Sequence, residues 1–121
     1  MDSSNFDSTP MMTDSTHDNK FYVKIKYSSH EIQLRLPCER DYTCFLYKNT
    51  GDFIDDLKGN QYDAHHGNLR LASNFKIYIY QHNIQFVYKK VDIKIENTEF
   101  IRNSLANVLS SYLNYLYNNF K

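Results

Sequence analysis

The residues best equipped for chemistry lie in the middle of the chain, where aspartates are followed by histidines. Three aspartates sit on a predicted helical turn, and the next loop adds one aspartate and two histidines: Asp52, Asp55, Asp56, Asp63, His65 and His66. Carboxylate and imidazole groups in such proximity could hold a divalent cation. The sequence has no HExxH, no glycine loop for phosphate and no nucleophile motif. We therefore expect no enzyme, no catalytic residue, no metal site and no cofactor.

The two cysteines, Cys38 and Cys44, are six residues apart and lack the CxxC spacing of a zinc site. A cytosolic or nuclear compartment would keep both thiols reduced. We expect them to be packing residues.

Tyrosines and lysines alternate with apolar residues on two predicted strands. Candidate nucleic-acid contacts on their polar faces are Tyr22, Lys24, Lys26, Lys76, Tyr78 and Tyr80. Lysines neutralise phosphates, and aromatic stacking contributes about 1–3 kcal/mol per base on single strands. The same residue types are also ordinary at solvent-facing strand positions. Any contact of this chain with nucleic acid is therefore expected to be auxiliary.

Composition and charge divide the chain into a tail and one domain. The 121 residues are 41% hydrophobic and 16% aromatic, which suits a single small domain with a real core. No window approaches the roughly 18 apolar residues of a membrane span, and the N-terminal segment has no secretory pattern, so we expect an intracellular location and no membrane partner. Residues 1–19 hold four acids and no lysine or arginine, which predicts a disordered acidic tail. Residues 20–121 carry a formal charge of +4, which is modest for a dedicated nucleic-acid binder.

The hydrophobic pattern predicts strands first and a long helix last. Period-two alternation from Phe21 predicts a hairpin that ends at Pro37, and residues 42–48 predict a third strand. A short helix is expected at 50–59 and a loop at 60–68. A long hairpin then turns at His82-Asn83, with a bulge where the pattern slips at Lys89-Lys90. The last helix begins at Asn97 or Thr98 and runs to the C-terminus.

This order of elements predicts a mainly β domain with helices. Five strands with a helix between the third and fourth indicate a five-stranded OB-fold barrel at residues 20–96, followed by a C-terminal α-helix at 97–121. The alternative is a PH-like barrel with a C-terminal helix, which would need about seven strands. The segment LRLA before Asn74 could supply an additional strand.

The C-terminal helix is expected to be an interaction element. It has no charged residue between Arg102 and Lys121, and its polar stripe is made of asparagine and serine. Its apolar residues form two adjacent seams, and the candidate partner-binding residues are Ile101, Leu105, Val108, Leu109, Tyr112, Leu113, Leu116, Tyr117 and Phe120. A helix about 36 Å long exceeds what a small barrel can cover, which favours a partner that presents helices. The alternative is that both seams pack on the protein's own barrel.

Two adjacent segments carry a resemblance to a known family. The run FKIYIYQHNIQFVYKKVDIKI and the helix ENTEFIRNSLANVLSSYLNYLYNN resemble the last two strands and the C-terminal helix of the smallest subunit of replication protein A. They are similar, too, to the telomeric relatives of that subunit, the Ten-one-type protein and the small subunit of the replication-protein-A-like trimer of ciliate telomerase. Family members usually place glycines where the first and fourth strands bend; here the glycines are Gly51, Gly59 and Gly67.

The resemblance implies an architectural and non-catalytic role. The chain would be the small subunit of a heterotrimer that binds single-stranded DNA or associates with telomeres and the telomerase holoenzyme. Its partners would be larger OB-fold subunits, joined through a helical bundle. Contact with DNA would be mainly indirect, through the complex, and the location would be nuclear.

Overall fold

A computed structural model describes residues 10–27 and 30–120, apart from the side chains of Tyr42 and Phe120. The first three strands, β1 (Met11–His17), β2 (Lys20–Tyr27) and β3 (His30–Leu36), form an antiparallel sheet in that order, called sheet A. The expected hairpin from Phe21 is present as β2 and β3, with Tyr22 opposite Arg35. Phe21, Val23 and Ile25 are buried on the inner face.

Strand β1 lies inside the segment that we expected to be a disordered tail. Met11 to His17 pairs with β2 in continuous antiparallel register. The connection is the pair Asp18-Asn19, and both residues have positive φ (53° and 60°). Asp and Asn adopt this left-handed conformation more readily than other non-glycine residues, and two such residues match the tight turn that suits a β-hairpin. The prediction of disorder is wrong for 11–17, while residues 1–9 lie outside the described part.

The expected third strand at 42–48 is helical. After a short 3-10 turn at Arg40–Tyr42, helix α1 (Thr43–Gly59) contains residues 43–48 of that segment and the predicted short helix. Its buried positions include Leu46, Thr50, Phe53 and Leu57, which recur at steps of three and four residues. Of the apolar residues in the expected strand, Leu46 lies on this buried helical stripe, whereas Phe45 and Tyr47 are exposed.

The second sheet, called sheet B, is a four-stranded antiparallel meander. It consists of β4 (Asn68–Ala72), β5 (Phe75–Ile79), β6 (Asn83–Tyr88) and β7 (Val91–Glu96), each paired with the next. The expected hairpin is present as β5 and β6, but its turn is Gln81-His82, one residue earlier than predicted, because Asn83 begins β6 and accepts from the Tyr80 N–H. The segment LRLA is a strand. The slip at Lys89-Lys90 is a hairpin turn and not a bulge: Lys89 has φ of 55°, and Tyr88 faces Val91.

The structure is mixed α and β and not mainly β, because the two helices contain almost as many residues as the strands; the expected C-terminal helix is present, whereas the number of strands differs from the expected five. The described residues form seven strands in two sheets of three and four, and no backbone pairing joins the sheets into a closed barrel in this part of the chain. The sheets meet at one corner, where the backbone N–H of Arg35 donates to the Tyr88 hydroxyl at 3.4 Å. Tyr88 also contacts Phe75 edge-on, with ring centroids 4.8 Å apart.

The C-terminal helix α2 (Glu99–Phe120) is confirmed, together with one of its two expected caps. The backbone N–H of Ile101 donates to Thr98 Oγ1 at 3.1 Å, which makes Thr98 the N-cap. Glu99 lies in the first turn, where the helix dipole favours an acid. None of the helices within 10–27 and 30–120 is long and apolar enough to cross a membrane.

One hydrophobic core unites all of these elements. It contains the inner faces of both sheets, represented by Ile25 and Phe86, and the facing sides of both helices, represented by Leu57 and Leu109. Helix α2 also packs against α1, β1 and β2. The second helix is therefore part of the domain's own core.

Candidate functional site

The outer face of sheet A carries a cluster of cations around one aromatic ring. Because β2 buries every second residue, the residues between them are directed away from the core. Register places Arg35 beside Tyr22 on this side. We call these residues the basic face: Lys20, Tyr22, Lys24, Lys26 and Arg35.

The charge of the basic face is strongly one-sided. Glu31 is the only acid among the outward-facing residues of β1, β2 and β3, and its carboxylate lies 3.3 Å from the Lys24 ammonium. Both side chains are about half exposed, so solvent weakens this pair and it contributes little to stability. Lys20, Lys26 and Arg35 have no ion pair among the described residues. The arrangement can therefore attract an anionic chain.

The outer face of sheet B holds the other three candidate nucleic-acid residues in a mixed environment. Tyr78 and Tyr80 lie near one another, with ring centroids 6.0 Å apart, and Lys76 is on the same strand and face. Asp92 shares this face and accepts a hydrogen bond from Gln85 Nε2 at 2.8 Å. Acids and cations alternate here, unlike on the basic face.

The structure thus brings the six candidate nucleic-acid residues together as two groups of three. Tyr22, Lys24 and Lys26 lie on sheet A, whereas Lys76 and Tyr78 lie on sheet B and Tyr80 directly follows strand β5 of that sheet. Sequence reasoning missed Lys20 and Arg35. Arg35 could have been found by pairing Tyr27 with His30 across the predicted turn, because that register sets Arg35 opposite Tyr22. Lys20 could have been found by extending the period of two back from Tyr22.

Most of the candidate partner-binding residues of α2 are buried in this chain. Six of the nine have at most 5% of their surface exposed: Ile101, Leu105, Val108, Leu109, Tyr112 and Leu116. The expectation that these six face a partner helix is wrong, because α1 and sheet A already cover them. Leu113 is half-buried and Tyr117 is 56% exposed, while the side chain of Phe120 is outside the description. These six residues agree instead with the alternative, in which the apolar seams of α2 pack on the protein's own sheets.

Aromatic contacts fix α2 on sheet A. The ring of Phe21 lies 5.4 Å from that of Tyr112 and 5.6 Å from that of Tyr115. The Tyr112 hydroxyl donates to the backbone carbonyl of Pro37. Burial raises the pKa of Tyr112 far above its ordinary value, so this hydroxyl stays protonated and acts as a donor.

Apart from Glu99 in its first turn, the solvent side of α2 is polar and uncharged, with an aromatic residue near each end. Phe100 is 59% exposed and Tyr117 is 56% exposed. Asn103, Asn107 and Asn114 are exposed between them. At 1.5 Å per residue this stripe is about 25 Å long. It is the surface of the helix that a partner could reach without opening the core.

The acids and histidines of the middle segment have structural partners. Asp56 is buried, and its Oδ2 accepts from the Gly67 N–H at 2.9 Å, which joins α1 to the residue that directly precedes β4. Asp63 accepts from the His65 N–H at 2.7 Å and lies 3.0 Å from His66 Nδ1. These hydrogen bonds lower the pKa of Asp63 and raise that of His66. Within the described ranges, no three His, Cys, Asp or Glu side chains gather where one metal ion could be held.

The cysteines are both free and lie in different environments. Cys38 is half-buried beside the core, and burial raises the pKa of its thiol. Cys44 is exposed on α1. Cys38 is thus the packing residue that we expected, whereas Cys44 faces solvent.

Comparisons with protein-family models, with curated proteins and with solved structures found no match to this chain.

Proposed function

We propose that this chain is a non-catalytic binding module that contacts single-stranded nucleic acid through the basic face. The observation that carries the proposal is the position of Tyr22 among four cations, Lys20, Lys24, Lys26 and Arg35, with Glu31 as the one acid on that side of sheet A. A stacking ring flanked by cations is the combination that single-strand binders use without reading sequence.

The dimensions of the basic face support a short strand as ligand. Lys20 and Lys26 are six residues apart on one strand, which corresponds to roughly 20 Å. Arg35 lies on the neighbouring strand, roughly 5 Å to the side. Such a surface accommodates a few nucleotides, with phosphates near the cations and one base on the Tyr22 ring.

For the finer architecture we propose the PH-like alternative. Seven strands in two antiparallel sheets, followed by a C-terminal helix, support it over a five-stranded OB-fold barrel. The helix α1, which separates the two sheets in sequence, would be an addition between the third and fourth strands.

The binding proposal is tested by titrating a labelled twelve-nucleotide oligo-dT with the full chain at several salt concentrations. The double variant Tyr22→Ala, Lys24→Gln is compared with its counterpart on sheet B, Tyr78→Ala, Lys76→Gln. Loss of one stacked ring should weaken binding roughly 5- to 100-fold. Loss of one phosphate contact should reduce the salt slope by about 0.7. Equal effects of the two double variants, or no binding by the wild type, would contradict the proposal.

A second candidate function is that of small subunit in a replication-protein-A-like, telomeric or replicative heterotrimer in the nucleus. The uncharged outer stripe of α2, with Phe100 and Tyr117 at its ends, favours it. Assembly with the helices of larger OB-fold subunits would use this stripe and not the buried seams.

Assembly is tested by purifying the tagged full chain from native extract. Two larger OB-fold subunits should co-purify with the wild type and be lost from the double variant Phe100→Asp, Asn107→Arg. The variant Lys90→Glu, at an exposed turn of sheet B, serves as the matched surface control. Absence of those subunits from the wild-type preparation would exclude the heterotrimer.

A further inference from the structure

The free edge of β4 presents backbone groups that the described chain does not use. Ile79 N–H donates to the Gly67 carbonyl at 2.7 Å, so Gly67 belongs to the set of residues bonded to β5. Alternation in an antiparallel ladder adds Leu69 to that set and directs the N–H and C=O groups of Asn68 and Arg70 the other way. Both of these residues are exposed, and in the described part of the chain β5 is the only strand that pairs with β4.

Helix α1 runs beside this edge, and two cavities that share Arg70 are lined by residues of both. The first has a volume of about 440 Å³ and is mainly apolar, with Phe45 and Leu46 on the helix side and Leu71 on the strand side. Phe45 is 58% exposed, so its ring is accessible from solvent at the wall of this cavity. Arg70 lines both cavities and so joins them.

The second cavity is polar and acidic. It has a volume of about 260 Å³, and its walls include Asp52, Asp56 and Asn68. Glu39 adds a third carboxylate from the first cavity, against the single guanidinium of Arg70. The Lys48 ammonium lies 2.9 Å from the Asp52 carboxylate, but both side chains are exposed, so a cation of a bound partner could replace Lys48 in this pair. The two cavities therefore form an acidic trough on a domain that is otherwise mildly basic.

We propose that this trough binds an extended segment of a partner protein, which adds to sheet B as a fifth strand along β4. Backbone hydrogen bonds to Asn68 and Arg70 would supply affinity, and the two cavities would supply specificity. Side chains two residues apart point the same way on a strand and are roughly 7 Å apart. The segment would therefore carry an apolar residue for the cavity beside Phe45 and a lysine or arginine two positions away for Asp52 and Asp56. Carboxylates here exclude a nucleic-acid strand, so the trough is distinct from the basic face.

The experiment begins with selection of a phage-displayed library of random eight-residue peptides on the full chain. Enriched peptides should show an aliphatic or aromatic residue two positions from a lysine or arginine. Their affinities are then measured against two variants of one residue, Arg70→Pro and Arg70→Ala. Proline removes the outward N–H without removing a bond to β5, whereas alanine keeps that N–H. Both variants lack the Arg70 side chain, so its loss cancels in their comparison, and we expect the proline variant to bind about tenfold or more weakly than the alanine variant.

If the proline variant does not fold, hydrogen exchange of the backbone amides in the wild type, measured with and without peptide, still tests the proposal. Peptide binding should protect the amide of Arg70 and leave that of Leu69, which already faces β5, unchanged. Enrichment without the apolar-basic pattern, equal binding by both variants, or no protection at Arg70 would overturn the proposal. Concentration-dependent dimerisation that protects Arg70 without peptide would also overturn it, because a second copy of the chain would then occupy the edge.

Discussion

The Tyr112 hydroxyl donates a hydrogen bond to the carbonyl of Pro37, which lies 75 residues earlier in the chain. This bond joins the end of β3 to the middle of α2, and Phe21 packs against the same tyrosine ring. The C-terminal helix is thus attached to sheet A by a polar and an aromatic contact at one point. A helix held in this way cannot present its buried seam to another subunit.

The first prediction concerns this bond. Replacing Tyr112 by Phe keeps the ring and removes the donor, which leaves the Pro37 carbonyl without its partner. We expect a loss of about 1–2 kcal/mol in the free energy of unfolding and a melting temperature lower by about 4–8 °C. Thermal unfolding followed by circular dichroism measures it. The control is Tyr115→Phe, because Tyr115 contacts the same Phe21 ring but is only half-buried; equal effects of the two variants would contradict the assignment.

The second prediction separates a core helix from an interface helix. Leu109 is 1% exposed, whereas Asn107, two residues earlier, is exposed. Leu109→Ala should destabilise the isolated chain by about 2–5 kcal/mol because it leaves a cavity. Asn107→Ala should change stability by less than about 0.5 kcal/mol. Urea unfolding of both variants is the measurement. If Leu109→Ala leaves the stability of the isolated chain unchanged, Leu109 is not a core residue and would be available to a partner.

Sequence patterns were sufficient for the strands that alternate strictly. In β2, β5 and β6 one face is buried and the other is not, so the period of two is visible in residue types alone. The cap at Thr98 and the bounds of α2 followed from local chemistry in the same way.

The remaining elements depended on information that no short window contains. Residues 42–48 are apolar on two sides of a strand pattern, and only the continuation to Leu57 reveals the helical stripe. Strand β1 is exposed at nearly every position, so it has no hydrophobic signature and is ordered by pairing with β2. Whether the seams of α2 meet this chain's own sheets or a partner is a question of tertiary packing, which hydrophobic periodicity does not distinguish.

The third prediction concerns Gly51 and Gly67, for which the structure predicts opposite effects of the same substitution by alanine. Gly51 is in the interior of α1, and a Cβ there would meet no atom within 4 Å. Gly51→Ala should therefore stabilise the protein by about 0.5–1 kcal/mol, through the better helix propensity of alanine. Gly67 has φ of +82°, and a Cβ there would lie 2.8 Å from the Gln61 carbonyl oxygen.

Gly67→Ala should accordingly destabilise the protein, by more than about 1 kcal/mol, because alanine is strained at positive φ and has no space. Calorimetry of the two variants beside the wild type gives both signs in one experiment. Shifts in the same direction would contradict the local geometry of either helix α1 or the loop before β4.

The fourth prediction is a pH dependence at the loop between α1 and β4. The hydrogen bond to the Asp63 carboxylate raises the pKa of His66 above its ordinary 6.5. The stabilisation from charged His66 is therefore complete below 6.5 and is lost as pH rises through the raised pKa. The pKa of Asp63 is lowered below its ordinary 3.8, so its contribution is present above that value and is lost as pH falls. Both stabilising contributions are present together between about pH 4 and pH 6.5.

The NMR titration midpoint of the His66 ring should lie above 6.5 in the wild type and return toward 6.5 in Asp63→Asn. In Asp55→Asn, a substitution at an exposed acid of α1, the midpoint should stay raised. A raised midpoint that persists in Asp63→Asn would mean that another group holds the His66 proton.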